Sequence, residues 1–459
     1  MRKIRFKGIK ESVTRKTVIW YTILIALTAF EFYTIYPEVY PYYQNKLFTL
    51  DANAFFAINW CCTVLSAILC ARQMKKYQNT QIISYLVMFY LNLIYYIPGF
   101  LMCAIYKTDE LYNLYYILFW LFLNLLHAVM MYFYNPSKGP LRSDKYVRLN
   151  YNDSYKSKFN YFVIGFILIV LGISLVLSDL RISIASLLNQ SAVLEIRAAA
   201  AENNIHWLAW NPILAASMIL PVWFTLAQKR KKIWISVLIV VTTCAMYSVS
   251  ANRMFLFLLL FAVVITFFKD DDLLFVKCWV IVLAIIYLEY YLHSESYTVL
   301  NVYRRLSLTP NSESRFYIDF FSNNELDWAR QLLERWLIIF GIKSPYSVRI
   351  PAMIGQYYLG GSNCNTGLLG YCYGNYGIFG IIFGPFLYMI SFFLLNKVTN
   401  KIRYNKTLHC AAIVYAVMVT NDYGWAEYLI LPSFLLIYYI LLFLMPPVAD
   451  DEKQQEDSL

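Results

Sequence analysis

Arginine and lysine are distributed differently along this 459-residue sequence. Apolar stretches predict membrane spans, and the connections between them fall alternately on an inner and an outer side. Of 22 lysines, only Lys46, Lys107 and Lys343 fall outside. Nine of 17 arginines lie outside or at the outer boundary: Arg181, Arg197, Arg253, Arg304, Arg305, Arg315, Arg330, Arg335 and Arg349. Because basic residues normally collect on the inner side, the outer arginines indicate selection for something other than topology.

Guanidinium chemistry indicates what is selected. The group is a planar fork that binds phosphate or carboxylate through two parallel hydrogen bonds, and it stays charged when partly desolvated. The outer arginines therefore predict a site for an anionic group, such as a lipid-linked phosphate or an acidic sugar. Arg253 and Arg349 are the leading residues, helped by Arg304, Arg305 or Arg197. Arg253 stands out because VSANRMF places it in a tight turn between two spans with no acidic neighbour. Snorkelling of this side chain to the lipid headgroups is the alternative.

Ordinary salt bridges are the alternative for other outer arginines. Arg315, Arg330 and Arg335 have acidic residues within helical reach: Glu313, Asp319, Asp327 and Glu334. For these three the structural explanation is favoured. For Arg197 both explanations stay open.

Glycine is concentrated in the same late region, where eight of 16 glycines fall within residues 355–380. From Gly367 to Gly384 they recur in steps of three or four, which places them on one face of a predicted helix. Such a bare face serves either tight packing against another helix or close approach of a ligand.

The residues before this helix complete the predicted anion site. Asn365 or Thr366 is the expected N-cap, and Gly360 and Gly361 permit the turn that leads into the helix. The exposed amide groups at a helix N-terminus attract phosphate. Aromatic rings on the outer side are expected to stack against sugars: Tyr357, Tyr358, Tyr371, Tyr373, Tyr423 and Trp425.

A general base is expected near the same face. His293 and Glu295, in YLHSESY at the end of a span, are the first choice, because a partly buried imidazole can stay neutral and accept a proton. A histidine that marks the membrane interface is the equal alternative. Other outer candidates are His206, Glu195 and Glu313. No metal-binding spacing of Cys or His is present, and no cofactor is expected.

Composition and hydropathy define the elements that must position these residues. Hydrophobic residues make up 60% of the chain and charged residues 15%, with mean hydropathy +0.50. We expect an all-α polytopic membrane protein, because a span needs about 20 mostly apolar residues. Twelve stretches qualify: 17–36, 52–71, 82–105, 112–134, 159–178, 207–227, 233–250, 254–268, 276–292, 373–395, 408–424 and 428–445.

The basic connections place both termini in the cytoplasm. Predicted regions are a basic N-terminus at 1–16, nine spans over 17–292 with an outer loop at 179–206, a long extracytoplasmic loop at 293–372, three spans over 373–445 and an acidic tail at 446–459. Within the long loop, 325–341 has the apolar stripe of an interfacial helix. The net charge of +11 follows from topology, and nucleic acid is not an expected partner.

Three short motifs and the order of spans resemble a known family. YYLGGSNCNTGLLGYCYGNYGIFG is similar to its loop-to-span pattern, SANRMF is similar to its turn between middle spans, and Arg349 with Gly360 fits an Arg-x10-Gly pattern. The family is that of the Wzy-type O-antigen and capsular polysaccharide polymerases, relatives of the O-antigen ligases. Arg197 has no glycine at the matching offset, which departs from a paired motif in both outer loops.

The resemblance implies a GT-C-like architecture and a metal-independent glycosyltransferase in the bacterial cytoplasmic membrane with an extracytoplasmic active face. Its substrate would be an undecaprenyl-pyrophosphate-linked oligosaccharide in the lipid bilayer, and its partners a chain-length regulator and a flippase. Two alternatives stay open: a flippase for the same lipid-linked oligosaccharide, or a ligase. A flippase should carry charged residues deep in its spans, where Glu31 and Glu289 are the few examples.

Overall fold

The computed structural model describes residues 14–40, 54–134, 153–180, 182, 196, 207–229, 231–268, 273–292, 297–331, 341, 343–360, 363–399 and 405–421. Within these ranges the chain is helical and contains no strand. The helices are α1 (Arg15–Val39), α2 (Phe56–Thr80), α3 (Ile83–Ile105, π-helical at Asn92–Tyr96), α4 (Glu110–Phe133), α5 (Asp153–Leu177), α6 (Trp207–Lys229), α7 (Ile233–Ser250), α8 (Arg253–Phe267), α9 (Leu274–Tyr291), α10 (298–323, π-helical at Arg304–Leu308), α11 (Ile350–Leu359), α12 (Leu368–Tyr376), α13 (Ile378–Thr399) and α14 (Asn405–Asn421).

Eight helices of the described residues are long and apolar enough to cross a membrane: α1, α2, α3, α4, α6, α7, α9 and α13. Two shorter apolar helices, Tyr161–Leu177 within α5 and α8, coincide with two further predicted spans. The span predicted at 408–424 overlaps α14, and the one at 428–445 lies outside the described residues. The architecture is that of an all-helical polytopic membrane protein, while twelve spans and their orientation stay predictions.

Exposed apolar side chains on the outward helix faces support membrane embedding. On α13 the following side chains are at least 50% exposed: Ile378, Phe379, Ile382, Phe383 and Phe386. An apolar stripe of this kind is unfavourable in water and suits lipid. In contrast, α3 is buried along its whole apolar stretch. It forms the centre of the bundle and contacts α1, α2, α10, α13 and α14.

A polar network fastens α10 to this centre. Asn311 Nδ2 donates to the Tyr95 carbonyl at 2.9 Å, in the π-helical turn of α3, and to the Ser307 carbonyl at 2.7 Å. The Tyr116 hydroxyl donates to Asn311 Oδ1 at 2.8 Å. A Cβ on Gly99 would lie 2.0 Å from the Tyr116 hydroxyl oxygen. The network therefore requires glycine at position 99.

The predicted outer loop at 293–372 is largely helical where it is described, since it contains α10, α11 and the first residues of α12. The interfacial helix predicted at 325–341 is wrong at its start. Residues 325–329 form a turn held by α12, because the Trp328 and Ala329 amides donate to the Asn375 backbone and side-chain oxygens, both at 2.9 Å. Helix resumes at Arg330, and 332–340 lie outside the described residues.

Candidate functional site

A cavity of about 300 Å³ lies where α6, the α7–α8 turn, α10, α11 and α12 meet. Its polar lining includes Asn252, Asp327, Gln331, Arg349, Asn365 and Thr366, and its aromatic lining Trp210, Tyr317 and Tyr371. Residues far apart in sequence thus converge on one space. The volume is at the lower end of the range for small-molecule sites, about 300–1,000 Å³.

Arg349 is the cationic residue of this lining. It is the N-cap of α11, and it is exposed. Its guanidinium makes no hydrogen bond or ion pair with any described residue, and α11 has no acidic residue in its first turn. Pro351 follows in that turn, where its fixed φ favours helix initiation. Arg349 therefore presents an unneutralised fork of donors at the cavity.

The backbone amides at this helix start are already used. The Ile350 amide donates to Gln331 Oε1 at 3.1 Å, and the Ala352 and Met353 amides donate to the Arg349 carbonyl, both at 2.9 Å. An anion in the cavity would therefore be bound by the guanidinium, while the helix dipole adds a weaker attraction.

The segment before α12 is fixed between α10 and α11. The Cys364 amide donates to the Pro351 carbonyl at 2.8 Å, and the Tyr317 hydroxyl donates to the Cys364 carbonyl at 2.9 Å. Thr366 is buried, with its Oγ1 2.7 Å from Ser314 Oγ. Asn365, between these anchors, is half-buried, and its side chain makes no hydrogen bond with the described residues. The backbone at Asn365 is thus anchored on both sides, and its side-chain amide is available to a ligand.

Asp327 is a cavity residue that sequence reasoning missed. The sequence predicts Asp327 as a salt-bridge partner of Arg330, but Arg330 pairs with Glu325 at 2.7 Å and contacts Asp327 only through its carbonyl. The Asp327 carboxylate is 1% exposed and accepts from Ser344 Oγ at 2.6 Å and from the Gln331 amide at 2.9 Å. No local pattern could reveal this position, because it depends on the turn that replaces the predicted helix.

Arg253 occupies the tight turn that the sequence predicts. Ala251 ends α7 with a positive φ of 48°, and Asn252 caps α8 by accepting from the Met254 amide at 3.1 Å. Asn252 lines the cavity, while Arg253 is the next residue and is half-buried. Arg253 therefore borders the cavity without being part of its lining.

Other predicted residues lie elsewhere. Arg304 and Arg305 are in the π-helical turn of α10, where the Arg304 guanidinium lies 4.4 Å from the Tyr40 ring centroid. Tyr357 is 71% exposed at the far end of α11. Beside it, Tyr358 stacks on a neighbouring ring of α10 and ends its helix near Gly360, the αL C-cap. None of these lines the cavity.

The predicted bases divide into described and undescribed residues. The following lie outside the described residues: His293, Glu295, His206 and Glu195, together with Arg197 and Gly361 of the binding set. Glu313 is described and is buried in α10. It lies beside Cys364, where burial and the Glu313 carboxylate raise the pKa of the Cys364 thiol far above its usual value. A thiolate nucleophile is therefore disfavoured at this position.

The glycine face packs against helices. The predicted single helix is wrong, because Gly377, with φ 58° and ψ −138°, separates α12 from α13. A Cβ on Gly370 would lie 3.1 Å from Ser314 Cα, and one on Gly380 would lie 2.1 Å from the Cys372 carbonyl oxygen. These glycines let α12 approach α10 and α13.

The predicted N-cap is also wrong. Gly367, rather than Asn365 or Thr366, caps α12. Its amide donates to the Thr420 carbonyl at 3.0 Å, and a Cβ there would lie 1.6 Å from the Val419 carbonyl oxygen. The start of α12 is therefore packed against the end of α14, and of the predicted anion-binding arginines it is Arg349 that lines the cavity.

Arg315 has partners outside its own helix. It lies 3.6 Å from Asp109 and donates to the Lys107 carbonyl at 3.4 Å. Among the described residues no group of three or more His, Cys, Asp or Glu side chains is arranged to bind a metal ion.

Comparison of the chain with family models, with curated proteins and with solved structures finds no match. The resemblance to polysaccharide polymerases therefore depends on the short motifs and on the physical arguments from the cavity.

Proposed function

We propose that this chain is a membrane glycosyltransferase that polymerises oligosaccharide repeat units carried on a polyprenyl pyrophosphate. The observation that carries the proposal is Arg349, an unpaired guanidinium at a cavity that also offers amides and aromatic rings. A pyrophosphate is the anion that a planar fork of donors binds well, and a lipid carrier would bring it to a membrane-embedded protein.

The lining suits a sugar beside that anion. Trp210, Tyr317 and Tyr371 supply ring faces, and Asn252 and Asn365 supply side-chain amides. Carbohydrates present alternating apolar faces and hydroxyl groups, so aromatic surfaces with a few polar groups are suitable partners. The cavity of about 300 Å³ leaves room for the reacting sugars, while the remaining chain would extend outside.

The proposed reaction is attack of an acceptor hydroxyl on the anomeric carbon of the donor sugar. A new glycosidic C–O bond forms as the bond to the pyrophosphate oxygen breaks. Negative charge builds on the departing pyrophosphate, where Arg349 stabilises it. The hydroxyl proton goes to a carboxylate, and Asp327 is the described carboxylate that lines the cavity. His293 and Glu295 stay as the bases predicted from sequence.

The direct test is incubation of the purified protein with a lipid-linked single repeat unit, followed by separation of products by size. A series of longer lipid-linked chains is expected. One polyprenyl pyrophosphate should be released for each glycosidic bond that forms. The matched variant is Asp327→Asn, which keeps the shape of the side chain but removes the proton acceptor, and it should strongly slow the formation of longer chains. A wild-type protein that forms no such series, but transfers finished polymer to a different acceptor, would identify a ligase.

A flippase for the same lipid-linked unit is the second candidate, favoured by the buried Glu31 carboxylate in α1. Deletion in cells separates the two functions. Loss of a polymerase leaves single repeat units accessible at the outer surface. Loss of a flippase leaves the unit in the inner leaflet, and that outcome would refute the polymerase proposal.

A further inference from the structure

Glu31 is a carboxylic residue buried in an apolar helix. It lies in α1 and is 0% exposed, and neither carboxylate oxygen has a hydrogen-bond partner among the described residues. No described cation forms an ion pair with it. An isolated ionised carboxylate in such surroundings is far costlier than a neutral one. Something must therefore neutralise Glu31.

Four tyrosines from distant segments of the chain lie near this carboxyl group. Tyr36 of α1, Tyr106 after α3, Tyr287 of α9 and Tyr303 of α10 all lie within electrostatic range of Glu31. Tyr36, Tyr106 and Tyr303 are fully or almost fully buried. The cluster excludes water and joins helices that are distant in sequence.

The tyrosine hydroxyls are fixed on the helix turns that carry Glu31. Tyr287 donates to the Leu27 carbonyl at 2.8 Å, and Tyr106 donates to the Phe32 carbonyl at 2.5 Å. These donors are therefore already used, while each hydroxyl oxygen keeps lone pairs that can accept a hydrogen bond. These tyrosine hydroxyls therefore do not pair with the Glu31 carboxylate, whose oxygens have no hydrogen-bond partner among the described residues.

The charged groups nearby do not replace that proton. Arg304 of α10 acts on Tyr36 and lies over the Tyr40 ring, at 4.4 Å from its centroid, on the side of the cluster toward the end of α1. Glu38 is exposed further along the same helix and accepts from the Tyr290 hydroxyl. A hard metal cation would need a shell of several oxygen ligands. A proton neutralises the carboxylate without any further ligand.

We propose that Glu31 is a buried proton-binding site, whose carboxyl group holds one proton at neutral pH in the interior of the helix bundle. Intramembrane carboxyl groups of this kind mark proton relays in pumps and transporters. The site shares no lining residue with the Arg349 cavity. It is therefore independent of the proposed glycosyl transfer, and its test needs no lipid-linked substrate.

Infrared difference spectroscopy on the purified protein in lipid nanodiscs tests the site. The spectrum of the wild type minus that of Glu31→Gln at pH 7 should contain the carbonyl stretch of one protonated carboxyl group, and this band should disappear as pH is raised. Glu38→Gln is the matched control on the same helix, and the band should be unchanged in it. Absence of the band at pH 7 would overturn the proposal. So would loss of the band on adding sodium at constant pH, because it would indicate a sodium site.

A second measurement uses the wild type alone, in case Glu31→Gln does not fold. A hydrophobic carbodiimide takes the carboxyl proton onto one nitrogen while the carboxyl oxygen bonds to its central carbon, and rearrangement leaves an N-acylurea. Peptide mass spectrometry should locate this adduct on Glu31 at pH 7, with less at higher pH and none on Glu38. A pH-independent adduct, or one on Glu38 but not on Glu31, would refute a protonated Glu31.

Discussion

The polar cluster around Asn311 and the polar lining around Arg349 differ in how completely their groups are paired. Asn311 uses both amide hydrogens and its side-chain oxygen, and its backbone carbonyl accepts from Tyr112 at 2.7 Å. Arg349 and Asn365 use none of their side-chain donors within the described residues. Both clusters touch α10 or its neighbours, so position alone does not explain the contrast.

Pairing distinguishes a structural role from a binding role. A buried polar group that is fully hydrogen-bonded stabilises the fold, whereas a buried group without a partner destabilises it by the free energy of desolvation. The Asn311 cluster therefore has nothing left to offer a ligand. The donors of Arg349 and Asn365 stay available to a ligand, so substitutions there should lower activity without lowering the melting temperature.

The largest expected effect is at Arg349. Arg349→Ala should lower the rate of product formation by about 100-fold, as expected for loss of a donor that stabilises a developing negative charge. The melting temperature should not change, because the side chain has no described partner. Arg349→Lys should recover little activity, since an ammonium group lacks the fork geometry. Polymerisation assays and thermal unfolding in detergent measure the two quantities.

Arg305→Ala is the matched control for that change, because Arg305 is an exposed arginine outside the cavity. It should keep close to full activity. Equal losses in both variants would show that surface charge, and not the cavity, determines activity.

The next effect breaks the other side of the comparison. Gly99→Ala would place a Cβ 2.0 Å from the Tyr116 hydroxyl oxygen and 2.7 Å from Asn311 Oδ1. The packed Tyr116 ring cannot move freely, so the hydrogen bond between these groups should break. We expect a loss of about 1–3 kcal/mol per unpaired group in the free energy of unfolding, measured as a lower melting temperature.

Gly165→Ala is the control for that substitution, because a Cβ there has no neighbouring atom within 4 Å. Its melting temperature should equal or exceed that of the wild type, since alanine favours helix. Equal melting temperatures for Gly99→Ala and Gly165→Ala would contradict the close packing of the Asn311 cluster.

A smaller effect sharpens the comparison between two asparagines. Asn365→Ala should raise KM by up to about tenfold, the value of one hydrogen bond to substrate, without changing the melting temperature. Asn113→Ala should lower the melting temperature and leave KM unchanged, because Asn113 accepts from Asn59 at 2.9 Å and donates to Thr108 Oγ1 at 2.6 Å. A lower melting temperature for Asn365→Ala would assign that residue to the structural class.

The smallest effect is expected at Tyr358. Its hydroxyl donates to Asp319, and burial together with that carboxylate raises the pKa of Tyr358 well above its usual value. The phenol therefore stays neutral across the working pH range. Tyr358→Phe should cost at most about 1 kcal/mol of stability and leave the polymerisation rate within about twofold of the wild type. A large loss of rate would return Tyr358 to the substrate site predicted from sequence.

Hydropathy was sufficient to locate the long apolar helices, because each of them carries enough apolar surface to dominate its local pattern. It did not locate α10, whose sequence is too polar to stand out from the predicted loop at 293–372. The tight turn at Arg253 was equally readable, since its residues lie between two clear spans. The cavity was readable in part, through Arg349, Asn365 and Thr366. These residues were identified by their chemistry and by their place late in the chain.

Asp327 and the break at Gly377 were not readable for a common reason. The segment at 325–329 has a helical stripe, but tertiary hydrogen bonds that its amides donate to Asn375 hold it as a turn. The glycines around Gly377 have helical spacing, but the φ of 58° at that residue ends the helix. In both places contacts between distant segments override a local period.

The complete burial of α3 has a consequence for how the protein is made. α3 leaves the ribosome early in synthesis, yet Ser84 at its start donates through its amide to Asn396 Oδ1 at 2.9 Å, and α14 packs along it. The surfaces of α3 that contact α13 and α14 therefore lack these partners until some 300 further residues have been synthesised. A chain truncated before α13 would keep an incomplete core in its N-terminal half, where membrane quality control would act on it.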